Sequence, residues 1–361
     1  MKTRAVSVDG LGVKLLLGAL FVFSSLAKFI SIEKFSVYIF SFGFLSMNLS
    51  IVAAWFVISF EMLLGIAMIS NRYHKKVMLV NLLLLLFFTL FLAFAHLSGR
   101  TDSCHCLGDL LPFNPLQSIL KNTILILLSL FAWKWAPCEK TTPWYGALPF
   151  VLLPAIALFF CGRLGWMPMT VIDFVYAMVL AFCGLAMALV LSFRWGKKHW
   201  VQLLVALTPF VAVMILSTWV SLFAPKGDTL FNKDYFTQIL LHDDQLQRIR
   251  ENKDAQVVAF FSPSCPYCRL AAEKLTLIQH RHNLPPDNIT IVFPGDSIVP
   301  HPDFFQAANA DPYTQCALNV NSFLKLTYGQ LPVVALVDNG TVVATYTHSD
   351  ISESQIKKFL Q

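Results

Sequence analysis

Charged residues are scarce in this chain of 361 residues: Asp, Glu, Lys and Arg make up 13% of the sequence, and hydrophobic residues make up 56%. Soluble domains usually carry roughly 25% charged residues, so this composition excludes an ordinary soluble protein and indicates an integral membrane protein. The 8 cysteines are too few and too scattered for a fold held together by disulfides. Two close pairs among them are typical of redox or metal chemistry instead.

Signals for several other classes of protein are also missing. The net charge of +6 is not accompanied by the basic and aromatic patterns of nucleic-acid modules, so we expect no nucleic-acid partner. The 9 histidines show neither H-E-x-x-H nor another paired-ligand spacing, and we expect no metal site. The first apolar run continues without a small-residue cleavage site, which argues against a cleavable signal peptide.

Seven apolar stretches are long enough to cross a bilayer, for which a helix needs about 20 largely apolar residues. They cover roughly residues 11–31, 49–70, 77–97, 117–137, 147–163, 171–193 and 200–223. The fifth stretch is short and contains Pro149 and Pro154. Membrane helices tolerate proline where neighbouring groups satisfy the freed carbonyl. We therefore predict a polytopic α-helical membrane bundle of about seven spans.

The distribution of basic residues predicts the orientation of these spans. The basic N-terminus and the segments 71–76 (NRYHKK) and 194–200 (RWGKKHW) all fall on one side when seven spans are threaded. Positive residues mark the cytoplasmic side, so we expect a multi-pass protein of the bacterial inner membrane with a cytoplasmic N-terminus. The loop 98–116 and the tail from about residue 225 are then periplasmic. If the fifth stretch did not cross, the two cysteine pairs would lie on opposite sides.

The tail alternates strand and helix patterns. Strands are predicted over 255–262 and 288–293, and helices over 268–280 and 314–326. Residues 331–346 (LPVVALVDNGTVVATY) predict two strands joined by a turn at Asn339-Gly340. A capped helix is predicted over 352–360. The tail therefore reads as a separate α/β domain.

The first predicted strand of the tail leads into Cys265-Pro266-Tyr267-Cys268 at the start of a predicted helix. A cysteine at a helix N-terminus has a lowered pKa, because unpaired N–H groups and the helix dipole stabilise the thiolate. Pro266 suits the first turn, where its missing N–H would have had no partner. Cys268, one turn later, is placed to resolve a mixed disulfide. A structural zinc half-site is the alternative.

A C-x-x-C that opens a helix, followed later by Leu331-Pro332 at the start of a strand, makes residues 235–361 similar to the thioredoxin fold. The resemblance implies that the cysteine motif is the redox site, with Cys265 attacking and Cys268 resolving. It also implies that Pro332 is a cis-proline facing the motif across a substrate groove. The sequence departs from that family because the strand before the motif lacks a buried Asp. Either Glu273 serves as the proton acceptor or the site needs none.

The second close pair, Cys104 and Cys106, flanks His105 in the loop between the third and fourth spans. A disulfide between such near neighbours has difficult geometry, and strained disulfides are easily reduced. This favours an oxidising or relay role for the pair. A metal cluster or two unrelated loop thiols are the alternatives.

Three segments of the first four spans carry a family likeness: 24–29 (SSLAKF), 60–65 (FEMLLG) and 104–122. They resemble the MauE family of DoxX-like membrane proteins, which typically shows C-x-C-F-G ahead of its fourth helix. Leu107 replaces the Phe of that motif. The resemblance covers about residues 10–137 and implies a role in forming or exchanging disulfides in exported proteins.

Two charged residues within the spans are candidates for binding a cofactor. Glu61 lies near the middle of the second span, where an ionisable group is costly and therefore indicates function. Lys28, nearer the outer end of the first span, is its candidate partner. A purely structural hydrogen bond between helices is the alternative. Cys161 and Cys183, in the fifth and sixth spans, are candidates for an electron relay, although cysteine also serves as a small apolar residue.

These features together predict a three-part chain. Residues 1–137 form a MauE/DoxX-like four-helix membrane domain, residues 138–224 three further spans, and residues 225–361 a thioredoxin-like α/β domain.

The function predicted for this arrangement is that of a membrane-anchored thiol-disulfide oxidoreductase acting on exported, cysteine-containing client proteins. Electrons would pass between the Cys265/Cys268 pair and the Cys104/Cys106 pair, and a quinone in the aromatic-rich bundle is the candidate acceptor. Two alternatives stay open: a transmembrane relay that keeps exported thiols reduced, and a non-enzymatic membrane assembly factor.

Overall fold

The structure is a computed structural model that describes residues 2–70, 74–99, 113–136, 156, 186 and 230–361. Two compact units make up the chain: residues 1–39 with 48–222, and residues 40–47 with 223–361. The predicted fifth, sixth and seventh spans lie outside the described residues, apart from positions 156 and 186. The predicted domain boundaries near residues 137 and 224 also fall outside and stay predictions.

Helices of the first unit confirm the first four predicted spans. They are α1 (Lys2–Ile30), the short α2 (Ile32–Phe40), α3 (Met47–Ile69), α4 (His74–Leu97) and α5 (Pro115–Trp135). Four of them, all except α2, are long and apolar enough to cross a membrane. In α1 the stretch that meets this condition is Gly10–Ile30.

The start of α5 is fixed by its own side chains. The side-chain oxygen of Asn114 accepts a hydrogen bond from the backbone N–H of Gln117 at 2.8 Å, and the Gln117 side chain accepts one from the Asn114 N–H at 3.1 Å. This reciprocal cap satisfies two N–H groups that a helix start leaves unpaired. Pro115 occupies the first helical position, where it removes no hydrogen bond.

Helices α1 and α3 approach closely at two glycines. A Cβ atom built on Gly18 would lie 2.8 Å from the carbonyl oxygen of Gly65, and one built on Gly65 would lie 2.8 Å from the carbonyl oxygen of Gly18. Both contacts involve backbone atoms, which cannot move aside without displacing a helix. Small residues at such crossings allow close van der Waals packing between membrane helices.

We therefore expect Gly18→Ala to destabilise the membrane unit by about 1–3 kcal/mol, as overpacking does elsewhere. Gly12→Ala in the same helix is the matched control, because a Cβ atom there would meet nothing within 4 Å. Thermal unfolding of the two variants in the same detergent makes the comparison. Equal melting temperatures would show that the glycine contact contributes nothing to stability.

The second unit contains the predicted α/β domain. Its helices are α6 (Lys233–His242), α7 (Gln247–Glu251), α8 (Pro266–His282), α9 (Pro302–Ala307), α10 (Val320–Thr327) and α11 (Glu353–Leu360). Its strands are β1 (Gln256–Phe260), β2 (Ile289–Pro294), β3 (Thr314–Leu318), β4 (Val333–Asp338) and β5 (Thr341–Tyr346). Short 3₁₀ turns lie at Asp244–Leu246 and Pro286–Asn288.

The five strands form one mixed sheet in the order β3-β2-β1-β4-β5. Strand β1 pairs in parallel with β2, which pairs in parallel with β3, whereas β4 is antiparallel to both β1 and β5. The predicted turn at Asn339-Gly340 is confirmed. Its two residues have φ angles of 46° and 75°, the left-handed conformation that a tight two-residue hairpin requires.

Strand β1 is the buried centre of this sheet. Val257 and Ala259 belong to the core on one face, which helices α8, α9 and α11 cover. Val258 and Phe260 belong to the core on the other face, which α6 and α10 cover. Successive side chains of a strand point to opposite faces, so an unbroken apolar run is what a strand covered on both faces requires.

One prediction for the tail is wrong in part. The sequence predicts a single helix over 314–326, but the first half is strand β3, and α10 begins at Val320. Cys316 in β3 pairs in register with Val292 of β2. The strand is specified by this neighbour rather than by its own periodicity. Asn319 then caps α10 by accepting a hydrogen bond from the N–H of Asn321 at 3.0 Å.

A short segment between α2 and α3 packs within the second unit. Arg281 on α8 donates hydrogen bonds to the carbonyl oxygens of Phe40 at 3.0 Å and Leu45 at 2.8 Å, and its guanidinium lies 3.9 Å from the centre of the Phe40 ring. Glu353 on α11 accepts hydrogen bonds from the N–H of Met47 at 3.0 Å and from Arg281 at 3.2 Å. Phe40 and Met47 are buried in the core of this unit.

Candidate functional site

Cys265 caps the N-terminus of α8, as the sequence predicts. Its Sγ accepts a hydrogen bond from the backbone N–H of Cys268 at 3.3 Å, and its own N–H donates to the carbonyl oxygen of Ser262 at 3.1 Å. Pro266 occupies the first helical turn. The short loop after β1 therefore directs one thiol at the unpaired N–H groups of the helix.

The two thiols of the motif differ in exposure. Cys265 is half-buried, whereas Cys268 is fully buried on the first turn of α8. The Sγ of Cys268 accepts a hydrogen bond from the N–H of Ser262 at 3.5 Å. Only Cys265 is therefore open to an incoming sulfur atom.

The two thiols also differ in pKa, and the more exposed thiol, Cys265, is the more acidic one. The hydrogen bond with the Cys268 side chain lowers the pKa of Cys265 to about 6 against the opposing effect of burial, and the N–H groups of Cys268 and Tyr267 add to the lowering. Burial raises the pKa of Cys268, and the interaction with Cys265 raises it further. Cys265 is consequently a thiolate at neutral pH while Cys268 keeps its proton. This is the arrangement of an attacking thiol with a resolving partner.

Arg269 supports the site and was not found by sequence reasoning. Its guanidinium donates a hydrogen bond to the carbonyl oxygen of Pro263 at 3.1 Å, and its backbone N–H donates to the carbonyl oxygen of Cys265 at 3.3 Å. Its positive charge also contributes to the lowered pKa of Cys265. In the sequence, an Arg four residues after a cysteine reads as an ordinary helix surface residue, so no local signal identifies it.

The pKa of Cys265 leads to a prediction for pH dependence. Because this pKa is depressed, the thiolate is present above about pH 6 and is lost as the pH falls through that value. The alkylation rate of Cys265 by iodoacetamide should therefore be half-maximal near that pH. Arg269→Gln should raise the pKa and lower the rate at pH 6 about twofold. Arg250→Gln, in the same unit, is the control and should leave the profile unchanged. Identical profiles for all three proteins would rule out a role for Arg269.

Pro332 lies at the same end of the sheet as the cysteine motif. The Leu331-Pro332 peptide bond is cis, in agreement with the prediction. The next residue, Val333, pairs in register with Phe260, the last residue of β1. Since β1 and β4 are antiparallel, the start of β4 and the end of β1 lie side by side, and Pro332 borders the loop that carries Cys265.

An aromatic contact lies beside the motif. The Tyr267 ring lies 4.5 Å from the imidazole of His348, centre to centre, and Tyr267 is 37% exposed. The buried Lys274 donates a hydrogen bond to the carbonyl oxygen of His348 at 2.6 Å, which fixes the loop after β5. The Tyr267 ring, which lies between the two cysteines in the sequence, is thus held against an ordered loop and stays partly exposed.

The membrane unit contains a buried ion pair. The Nζ of Lys28 on α1 lies 2.6 Å and 2.7 Å from the two carboxylate oxygens of Glu61 on α3. The two side chains are only 4% and 5% exposed. Ser24 lies between them, accepting a hydrogen bond from Lys28 at 2.8 Å and donating one to Glu61 at 3.2 Å. The structure thus brings together the two residues that the sequence suggests as candidate cofactor ligands.

The remaining cysteines fall into two groups. Cys104, Cys106, Cys138, Cys161 and Cys183 lie outside the described residues. Cys316 is buried in β3, and burial raises its pKa to about 11. Cys316 therefore stays protonated at neutral pH and is a poor nucleophile.

Comparison with known proteins finds a family match in the first part of the chain and a more distant match along most of it. Residues 6–135 match the family described as methylamine utilisation protein MauE. A protein of Flavobacterium psychrophilum named Protein TlpB is 26% identical to this chain over 329 residues, covering 83% of this chain and 81% of that protein. No solved structure gives a significant match. Residues 6–135 are therefore a MauE domain, which this chain joins to a C-terminal domain built on a mixed α/β sheet.

Proposed function

We propose that this protein is a membrane-anchored thiol-disulfide oxidoreductase that forms or exchanges disulfides in exported proteins. The observation that carries the proposal is the pairing of an accessible, acidic thiol, Cys265, with a buried, protonated thiol, Cys268. The strand order and orientations, with the motif after the central strand and a cis-proline at the same sheet end, support a thioredoxin-like fold for the C-terminal domain.

The reaction we propose is a two-step exchange. A client thiolate attacks Cys265 Sγ of the Cys265–Cys268 disulfide, forming a mixed disulfide and releasing Cys268 as a thiol after protonation. A second client thiolate then attacks the client sulfur of the mixed disulfide, which leaves the client oxidised and Cys265 as a thiolate. The client dithiol loses two electrons to the enzyme pair and releases two protons, of which Cys268 takes up one and the solvent takes up the other. A thiolate of low pKa is a good leaving group, so the acidity of Cys265 favours this direction.

The reduced pair then has to be reoxidised. We propose that it passes its two electrons to a Cys104–Cys106 disulfide of the membrane domain, which becomes a dithiol. The MauE domain supports this step because the sequence of that loop resembles the cysteine motif of the family. Both pairs would face the periplasm of a bacterial inner membrane, where exported clients fold.

The test is to trap thiols in intact cells with a membrane-impermeant alkylating reagent that adds mass. In wild type, Cys265 and Cys268 should react only after external reduction, which places them outside the cytoplasm in the oxidised state. In the Cys104→Ser/Cys106→Ser variant, they should accumulate as thiols and react without reduction. Cys138→Ser is the control and should behave as wild type. A C-terminal pair that stays oxidised in the double variant, or reacts only in permeabilised cells, would contradict the proposal.

A further inference from the structure

A cavity of about 250 Å³ lies within the membrane unit, between α1, α2, α3, α4 and α5. Most of its lining is apolar, and six aromatic rings contribute to it: Phe21, Phe35, Tyr38, Phe87, Phe88 and Phe91. A lining of this kind suits a flat, apolar ring, because aromatic groups pack well in offset or edge-to-face arrangements.

A few polar side chains also reach this cavity. Lys28 and Glu61 line it and are bonded to each other. Lys121 and Asn122 of α5 line it as well, and Asn122 is only 4% exposed. Within the part of the chain that the structure describes, neither Lys121 nor Asn122 makes a side-chain hydrogen bond. A buried amide without a partner is costly, so this pair of side chains points to a ligand with polar atoms.

The charges around the cavity do not cancel. Among the described lining residues there are two cations, Lys28 and Lys121, and one anion, Glu61, which leaves one positive charge. In a membrane interior such a charge favours a ligand that carries or acquires negative charge. Asn122 adds an amide that can both donate and accept a hydrogen bond.

We propose that this cavity binds the ring of a quinone, which takes two electrons from the Cys104/Cys106 dithiol. The inference rests on the function proposed above. The dithiol loses two electrons and two protons as its S–S bond forms, and the quinone becomes a quinol. The Asn122 amide donates to a quinone oxygen and accepts from the quinol hydroxyl, while Lys121 stabilises negative charge on the ring oxygen during reduction.

Depth distinguishes a quinone from a phospholipid as the occupant. Lys121 and Asn122 follow the start of α5 at Pro115 by two turns, which places them about 10 Å along the helix. A phospholipid keeps its phosphate at the membrane surface, whereas a quinone ring lies within the hydrocarbon. The aromatic lining and the uncharged amide likewise fit a carbonyl-bearing ring better than a phosphate.

Binding is tested on the oxidised, full-length protein in lipid nanodiscs, with decylbenzoquinone as the probe and quenching of tryptophan fluorescence as the readout. Wild type should bind saturably. Asn122→Leu and Lys121→Met should each weaken binding about tenfold or more, since each removes a hydrogen bond to the ligand. Thr123→Val on the same helix is the matched control, because Thr123 is exposed, is not among the described lining residues, and donates its hydroxyl to the carbonyl oxygen of Ile119 on its own helix. It should bind within about twofold of wild type.

The outcomes separate this inference from the proposed function. If wild type exchanges client disulfides but shows no saturable quinone binding, the cavity proposal is overturned and the function stands. If it binds quinone but exchanges no disulfides, the function fails and the assigned electron donor fails with it. A phospholipid that copurifies, resists displacement by quinone and is lost in Asn122→Leu would also overturn the proposal. If Asn122→Leu does not fold, Lys121→Met decides, because Lys121 is only half-buried.

Discussion

Cys265→Ser is expected to abolish disulfide exchange with client proteins while leaving the fold intact. Serine keeps the size and the capping position of Cys265 at the start of α8, but its hydroxyl cannot form a disulfide. Cys268→Ser should have a different effect. Without Cys268 the motif cannot form its own disulfide, so the Cys265 thiolate can only attack disulfides of oxidised clients, and the resulting mixed disulfides accumulate because no neighbouring thiol resolves them. The measurement is non-reducing electrophoresis of the full-length protein after acid quenching, together with a client refolding assay.

Cys316→Ser is the matched control for this experiment. It also removes a thiol from the C-terminal domain, but that thiol is buried and its pKa is raised to about 11. Exchange by this variant should equal that of wild type once any loss of stability has been measured. Full activity of Cys265→Ser would show that the motif is structural, as the zinc and assembly-factor alternatives require.

Glu61→Leu is expected to destabilise the membrane unit by about 3–5 kcal/mol, the usual cost of removing one partner of a buried ion pair. The variant leaves Lys28 as an uncompensated charge among apolar helices. Lys28→Met should cost less, because Lys121 also lines the cavity that Glu61 lines and leaves the carboxylate with a second cation nearby. The measurement is thermal unfolding of each variant in one detergent, with the yield of folded protein as a second readout.

The double variant Lys28→Met/Glu61→Leu distinguishes a role of the ion pair in stability from a role in catalysis. It should recover most of the lost stability, because two apolar side chains of similar size replace both charges. If it is stable but no longer turns over substrate, the pair serves the chemistry of the cavity. If it is stable and fully active, the pair only joins two helices. Single variants as stable as wild type would contradict the expected cost of an isolated charge.

Local patterns predict much of this molecule, and the failures have a physical cause. The thiol at the helix N-terminus and the turn at Asn339-Gly340 are specified by adjacent residues, so the sequence reveals them. Strand β3 is specified by its neighbour β2 and was predicted as a helix. The role of Arg269 depends on how the loop before α8 folds back, which no spacing in the sequence records.

The ion pair of the membrane unit illustrates the same limit. The cost of an ionisable group in a span singles out Glu61, and Lys28 is the nearest candidate in the preceding span. Their contact depends on the rotation of α1 and α3 about their axes, which the glycine crossing at Gly18 and Gly65 fixes. Ser24 connects the two charges, yet a serine in an apolar helix gives no sign of this role.

The same ion pair constrains how the protein is made. Lys28 is synthesised 33 residues before Glu61, which at 5–20 residues per second is a delay of about 2–7 s. During that interval the Lys28 ammonium has no carboxylate partner, and a lysine near the end of a span can extend its side chain to the membrane surface. The buried pair, whose side chains are 4% and 5% exposed, can form only after α3 has emerged. The lysine therefore passes from the membrane surface into the interior of the unit as α1 and α3 pack together.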